Sequence, residues 1–195
     1  MGVTKMQSIS IIPWDKYALI TELSIRFKKN KNAQFGKTIF QKIIFILQEV
    51  YNIPLGYDFS LYTYGPYASE VFQDLDFVES LKGVQIIPVE TGYGGYKIIP
   101  GKEHSIIRAK GKEYLESDSV RKALNSLIKE FGGFTARDLE LRATIIFIDR
   151  DLKGTPQHLL DDIAKLVHEI KPKFAIAEIT KVIEEMSKKG YVLSR

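Results

Sequence analysis

Apolar residues recur with helical spacing most clearly between Lys37 and Tyr51, where Ile39, Ile43, Ile46 and Val50 form one stripe and Phe40, Ile44, Leu47 and Tyr51 the next. Two adjoining stripes predict a helix buried over a wide face, the central helix of the fold. Ahead of it, Tyr17, Ile20, Leu23 and Phe27 give a helix over Trp14 to Lys29, and the polar link Asn30 to Gln34 makes the two a helical hairpin. Asn52, Pro54 and Gly56 then break the helical period, and Phe59, Leu61 and Thr63 alternate with Ser60 and Tyr62 as a short strand that Gly65 and Pro66 stop.

A third helix, Tyr67 to Leu81, carries Val71, Leu75 and Val78 inward, starts just after a proline and closes at Gly83. The β-branched runs Val84 to Val89 and Tyr96 to Ile99, separated by the glycine-rich Glu90 to Gly95, predict a β-hairpin that the Phe59 to Thr63 strand joins. The rest reads as helix: Glu103 to Glu116; a segment carrying Val120, Leu124, Leu127 and Phe131; a helix opened by a Thr135–Asp138 capping box; Thr155 to Ile170, with Leu159, Ile163, Leu166 and Ile170 inward; and Phe174 to Lys189, ended by Gly190. Helix, helix, strand, helix, hairpin is the order of a winged helix. The expected fold is therefore α+β and mainly helical. A winged-helix-like part with a small antiparallel sheet occupies residues 1–102, and a helical C-terminal region, residues 103–195, follows and can pack with it as one unit.

Composition narrows the chemistry. The 195 residues carry 28 Lys+Arg, 24 Asp+Glu and no Cys, with 45% hydrophobic residues, which is ordinary globular composition. Without Cys there is no disulfide framework, thiolate zinc site, iron–sulfur cluster or Cys nucleophile. The longest apolar runs, Ile43 to Leu47 and Ile145 to Ile148, fall far short of the roughly 20 residues that span a bilayer. No membrane association is expected, and Met1 to Pro13 lacks the apolar core of a signal peptide, which points to the cytoplasm. An Ile- and Lys-rich chain with four Asn resembles proteins from hot environments.

Catalytic constellations do not assemble along the sequence. His104, His158 and His168 lack the i, i+3 or i+4 spacing that converges imidazoles on a metal, and no G-x-S-x-G turn offers a nucleophile. Ser69 and Ser80 read as helix surface. Gly92, Gly94 and Gly95 lie between two strands and read as a hairpin tip, not a phosphate cradle. Asp149, Asp151 and Lys153 read as a solvated helix end. The expectation is a protein without enzymatic activity, cofactor or metal.

Charge is distributed unevenly. Residues 1–50 carry 8 cations and 3 anions, while residues 51–100 carry 2 and 6. The third helix, which a winged helix would place in the major groove, bears Glu70, Asp74, Asp76 and Glu79 and no Lys or Arg. At ~7 Å from a phosphate each carboxylate costs about 0.6 kcal/mol even in bulk-water dielectric, so this helix reads DNA poorly. Better nucleic-acid candidates are the C-terminal Lys171, Lys173, Lys181, Lys188 and Lys189, and the cluster Arg26, Lys28, Lys29, Lys31 and Lys37. Both also fit solvated faces, and neither has interleaved aromatics for stacking. A DNA-binding regulator using these surfaces is the alternative reading.

The run Gly36 to Gln48, followed by Ile53 to Tyr57 and by Leu61-Tyr62-Thr63-Tyr64-Gly65-Pro66-Tyr67, resembles the YwgA-like proteins and the related Panacea (SocA-like) antitoxin domain. Those families show a helix of the type L-x-K-L-x-Y-L and then a strand ending in Y-G-P. The resemblance covers residues 36–80 well, with a looser likeness at Ile170 to Phe174, Glu178 and Ile179. It implies a non-catalytic antitoxin that neutralises toxins, or an adaptor that delivers a client to a protease. Tyr62, Tyr64 and Tyr67 place phenols, effective interface residues, beside the acidic helix. The expected binding face is therefore Tyr62, Tyr64, Tyr67, Glu70, Asp74, Asp76 and Glu79, facing a basic protein partner; half-buried core tyrosines beside ordinary surface carboxylates fit the pattern equally, and assembly into homo-oligomers stays open.

Overall fold

The computed structural model describes residues 12–30, 35–89, 95–152 and 160–192. Helix α1 (Trp14–Lys29) is followed by α2 (Lys37–Glu49), in which every residue from Ile39 to Leu47 is buried. Burial on all sides, Gln41 and Lys42 included, goes beyond the two apolar stripes of the sequence and makes α2 the core helix. Two short strands, β1 (Ser60–Tyr62) and β2 (Gly65–Tyr67), precede α3 (Ser69–Ser80), and β3 (Val84–Pro88) and β4 (Tyr96–Pro100) follow. Then come α4 (His104–Lys110), α5 (Lys112–Glu116), α6 (Asp118–Phe131), α7 (Ala136–Asp151), α8 (Leu160–Ile170) and α9 (Ile176–Lys188).

The protein is mostly helical with two small antiparallel sheets among the described residues. The expected three-stranded sheet does not form. β1 pairs with β2 through Tyr62↔Gly65, Leu61↔Pro66 and Ser60↔Tyr67, and β3 pairs with β4 alone. Thr63 and Tyr64 reverse the chain, so Gly65 and Pro66 continue as a strand where the sequence suggested a stop. Ile98 of β4 donates its N–H to Phe35 O at 2.8 Å, so the loop before α2 occupies the edge that the first strand was expected to join.

The helix expected over Glu103 to Glu116 is split at Gly111 into α4 and α5. A Cβ at Gly111 would meet Ala18 Cβ at 2.5 Å, so the missing side chain lets this bend cross α1 closely. The third helix begins at Ser69 because Tyr67 belongs to β2, and the last runs from Ile176, with Phe174 fully buried ahead of it. The Thr135 capping box forms as expected, Asp138 N donating to Thr135 Oγ1 at 3.2 Å and Thr135 N to Asp138 Oδ2 at 3.0 Å. The hairpin tip over Glu90 to Gly94 and the helix start at Thr155 to Leu159 lie outside the described residues.

α7 is buried from Leu139 to Ile146, as α1 is from Tyr17 to Ser24; α7 packs along α2, while α4 packs along α1. One continuous apolar core thus includes residues from both the first hundred residues and the last ninety. No helix among the described residues is long and apolar enough to cross a membrane.

The core position of α2 sets an exchange hierarchy. The amides of Phe40, Ile43 and Ile44 should be among the slowest to exchange, and Phe40→Ala, at a fully buried site, should cost about 3–5 kcal/mol. Exchange of these amides as fast as the chain ends would exclude α2 as the core helix.

Candidate functional site

Beneath the Tyr62 to Tyr67 hairpin lies a buried polar hub. Lys42 on α2 is 2% exposed and donates from Nζ to Pro66 O at 2.6 Å, while its neighbour Gln41 donates from Nε2 to Ala68 O at 3.1 Å. From the opposite side Lys171, in the link between α8 and α9, donates to Tyr62 O at 3.0 Å and to Thr63 O. Glu140 on α7, 3% exposed, supplies the counter-charge: its Oε1 lies 3.4 Å from Lys171 Nζ, and its Oε2 accepts from Lys173 Nζ at 2.8 Å. Thr144 donates to the Glu140 backbone carbonyl one turn back.

Burial pushes the Lys42 ammonium down to about 8; Glu140 resists that shift and Lys171 reinforces it. Gly65 completes the hub. Its φ of +87° is left-handed, and a Cβ there would lie 3.0 Å from Thr144 Oγ1 and 3.4 Å from Lys42 Cε. The Tyr-Gly-Pro corner is therefore a turn whose carbonyls face inward onto two ammonium groups and whose tyrosines face out. Tyr62 is 67% and Tyr64 61% exposed, whereas Tyr67 is half-buried, its ring 5.7 Å from Tyr62 and 5.8 Å from Phe72.

The acidic helix α3 divides into structural and outward-facing carboxylates. Asp74 accepts from the Tyr57 hydroxyl at 2.7 Å and lies 3.6 Å from Lys16 Nζ, which sits over the Tyr57 ring. Burial and this carboxylate raise the Tyr57 phenol far above its ordinary value. Glu79 accepts from Ile86 N at 2.7 Å and so anchors β3. Glu70 and Asp76 are exposed, and Asp76 lies 3.9 Å from the partly exposed Lys37. Of the seven expected binding residues, four thus face solvent at the tip and on α3: Tyr62, Tyr64, Glu70 and Asp76.

Four of the candidate nucleic-acid cations, Lys171, Lys173, Arg26 and Lys189, are committed to ion pairs. Lys171 and Lys173 hold Glu140 in the hub. Arg26 and Arg108 together enclose the buried Glu22, and Arg26 also reaches Asn125. Lys189 pairs with Glu130 and Glu185. Lys28, Lys29, Lys181 and Lys188 are exposed and form no ion pair with the described residues, on helices that do not pack together. Lys31 lies outside the described residues.

At the end of α7 Asp151 is solvated as expected and Lys153 lies outside the described residues, but Asp149 differs. The Asp149 side chain is fully buried and pairs with Arg150, because Arg150 turns inward to the carbonyls of Glu49 and Tyr191. His168 Nδ1 lies 2.8 Å from Phe174 O, a structural contact, and His158 falls outside the described residues. Among the described residues no three His, Asp or Glu side chains converge as metal ligands.

No family model matches the chain, and no curated protein matches it.

The hub residues Gln41, Lys42, Glu140 and Thr144 escaped the sequence reading. The available signal was a polar pair, Gln41-Lys42, inside an otherwise apolar run. Polar residues enclosed by apolar ones on every helical face mark a buried network.

Two outcomes follow from this geometry. The unfolded chain keeps the Lys42 proton to about 10.5, while the folded chain releases it from about 8. Between those values the unfolded state binds more protons, so stability rises with pH and is lost as pH falls back through 8. Urea midpoints at pH 7.5 and 9.5 should show a gain on the order of 1–2 kcal/mol, below the range where the buried Tyr57 phenol opposes it. Lys42→Met should flatten that slope, and an unchanged slope in the variant would assign it to another group. Separately, Gly65→Ala should cost at least about 1–2 kcal/mol for its left-handed backbone. Gly133→Ala, with nothing within 4 Å of its Cβ position, serves as the near-neutral comparison.

Proposed function

We propose that the chain is a non-catalytic protein-binding module, antitoxin-like or adaptor-like, that recognises a basic protein partner through the Tyr62 and Tyr64 tip and the outward side of α3. One observation carries the reading: two exposed tyrosines stand on a backbone whose carbonyls are fixed from below by buried lysines. A preorganised aromatic tip loses little conformational entropy on binding and keeps a polar end for hydrogen bonding. Glu70 and Asp76 add negative potential beside it, which steers a cationic surface and repels nucleic acid.

The likeness of residues 36–80 to the YwgA-like and Panacea group supplies the antitoxin or adaptor role, with a toxin or a protease-delivery client as partner. In this reading α1, α2 and α3 with the β3–β4 hairpin act as a winged-helix-like scaffold in a cytoplasmic protein, with the β1–β2 corner as its working insertion. The absence of any cation on α3 argues against use of that helix in a DNA groove.

Charge reversal at the two outward carboxylates tests the reading without disturbing Asp74 or Glu79. Glu70→Lys with Asp76→Lys should leave helix content unchanged, lower the Tm by only a few degrees because Glu70 lies in the first turn of α3, and reduce recovery of a co-purifying basic partner by at least about fivefold, in line with hot-spot magnitudes. Tyr64→Ala should act in the same direction. Full recovery by both folded variants would place the interface elsewhere, and a salt-sensitive electrophoretic shift with DNA fragments would favour the regulator reading.

A further inference from the structure

A second feature lies where the C-terminal ends of α2 and α7 meet the segment Tyr57–Phe59. It is an open depression of about 280 Å³, at the lower edge of the range for small-molecule pockets and roomy enough for a side chain. Its wall is aromatic, formed by Phe45, Phe59 and Phe147. The Phe45 and Phe59 rings are 5.0 Å apart edge to face, and the Phe45 and Phe147 centroids are 6.3 Å apart.

Its rim is anionic. Glu49, Asp58 and Asp151 line it, and none has an ion-pair partner among the described residues. Arg150 is the one cation in the lining, and its charge is matched internally by the buried Asp149 while it donates to Glu49 O at 3.3 Å and Tyr191 O at 3.1 Å.

The backbone adds to this potential independently of the side chains. α2 and α7 both end at the depression, and helix C-termini carry partial negative charge. Glu49 and Asp151, the last residues of those helices, therefore sit against the dipole in the free protein, an arrangement that a bound cation relieves.

We propose that this depression receives the arginine side chain of a protein partner. The planar guanidinium is weakly hydrated, stacks on aromatic faces and pairs with carboxylates in a fork geometry, which matches a ring-walled, carboxylate-rimmed cavity better than a compact ammonium does. Anionic ligands are excluded by the same rim. The inference rests on the reading that the partner is a basic protein, and it adds a specific anchor on a face separate from the Tyr62 and Tyr64 tip.

The test titrates the full chain, isotopically labelled, with the peptide acetyl-Gly-Arg-Gly-amide and follows amide and aromatic shifts. Expected are saturable shifts at Asp58, Phe59 and Phe147, weakened by salt, and about two- to fivefold weaker binding in Asp58→Asn and in Asp151→Asn. Phe59→Leu, which keeps an apolar side chain but removes the ring face, should weaken it comparably. Asp151→Asn should also raise the Tm of the free chain by about 1–4 °C, since it removes a charge opposed to the helix dipole. A norleucine peptide that shifts the same residues equally, a lysine peptide that binds as tightly, or an arginine peptide that shifts nothing in the cavity would each overturn the proposal. If the cavity fails while charge reversal on α3 still abolishes partner recovery, only the arginine anchor falls; if the arginine peptide binds here while that recovery is unaffected, the tip and α3 reading falls.

Discussion

Two lysine ammonium groups buried beneath a three-residue corner are the constraint on which the arrangement of the chain depends. Lys42 and Lys171 are 2% and 5% exposed, and a buried charge is tolerated only where it is paired and hydrogen-bonded. One carboxylate, Glu140, pairs with Lys171 and with the half-exposed Lys173, and its charge also acts on Lys42. Backbone carbonyls of Tyr62, Thr63 and Pro66 supply the remaining acceptors. The hairpin conformation and the buried charges therefore require each other: without the left-handed Gly65 the corner could not lie against Thr144 and Lys42, and without the lysines those carbonyls would lose their donors.

This arrangement changes how the net charge is presented. A chain of formal charge +4 looks basic, yet its buried ions balance, Lys42, Arg142 and Lys171 against Glu22, Glu140 and Asp149. What differs is placement: the half-buried Glu49 and the exposed Asp58, Glu70 and Asp76 lie at the end of α2, on the segment before β1 and on α3. The surface between the ends of α2 and α7 and along α3 is therefore acidic on a chain of positive net charge, and it also carries exposed or accessible aromatic rings. A net charge summed over the sequence fails here because placement on the folded surface, not abundance, decides which ions a partner meets.

Helix existence was legible because the 3.6-residue period is a local property. The helices α1 and α2, the inward positions of α3, the Thr135 capping box and the stop at Gly190 all follow from residues within a turn or two of one another, whereas the expected α1–α2 hairpin does not form, α1 packing on α4 and α2 on α7. Strand partnership was not, since nothing local says that Phe35 would occupy the edge of β4 or that Gly65 and Pro66 would extend a strand. The split at Gly111 likewise depends on Ala18, more than ninety residues away. At the candidate site the tyrosines and outward carboxylates could be read from residue type. The roles of Asp74 and Glu79 could not, because Tyr57 and Ile86 reach them only in the folded chain.

The hub also bears on how the chain divides. A boundary near residue 102 separates a winged-helix-like order of elements from a helical remainder, and by sequence it is the natural cut. Such a cut would leave Lys42 with Pro66 O but without Glu140, and the Tyr62 and Thr63 carbonyls without Lys171. It would also bare the side of α2 that α7 covers, where Ile39 to Leu47 are buried throughout. Exposing a continuous apolar helix face while orphaning a buried ammonium is unfavourable in both hydrophobic and electrostatic terms. The C-terminal helices are therefore part of what shapes the tyrosine corner, and the tip cannot keep its geometry as a property of the first hundred residues alone.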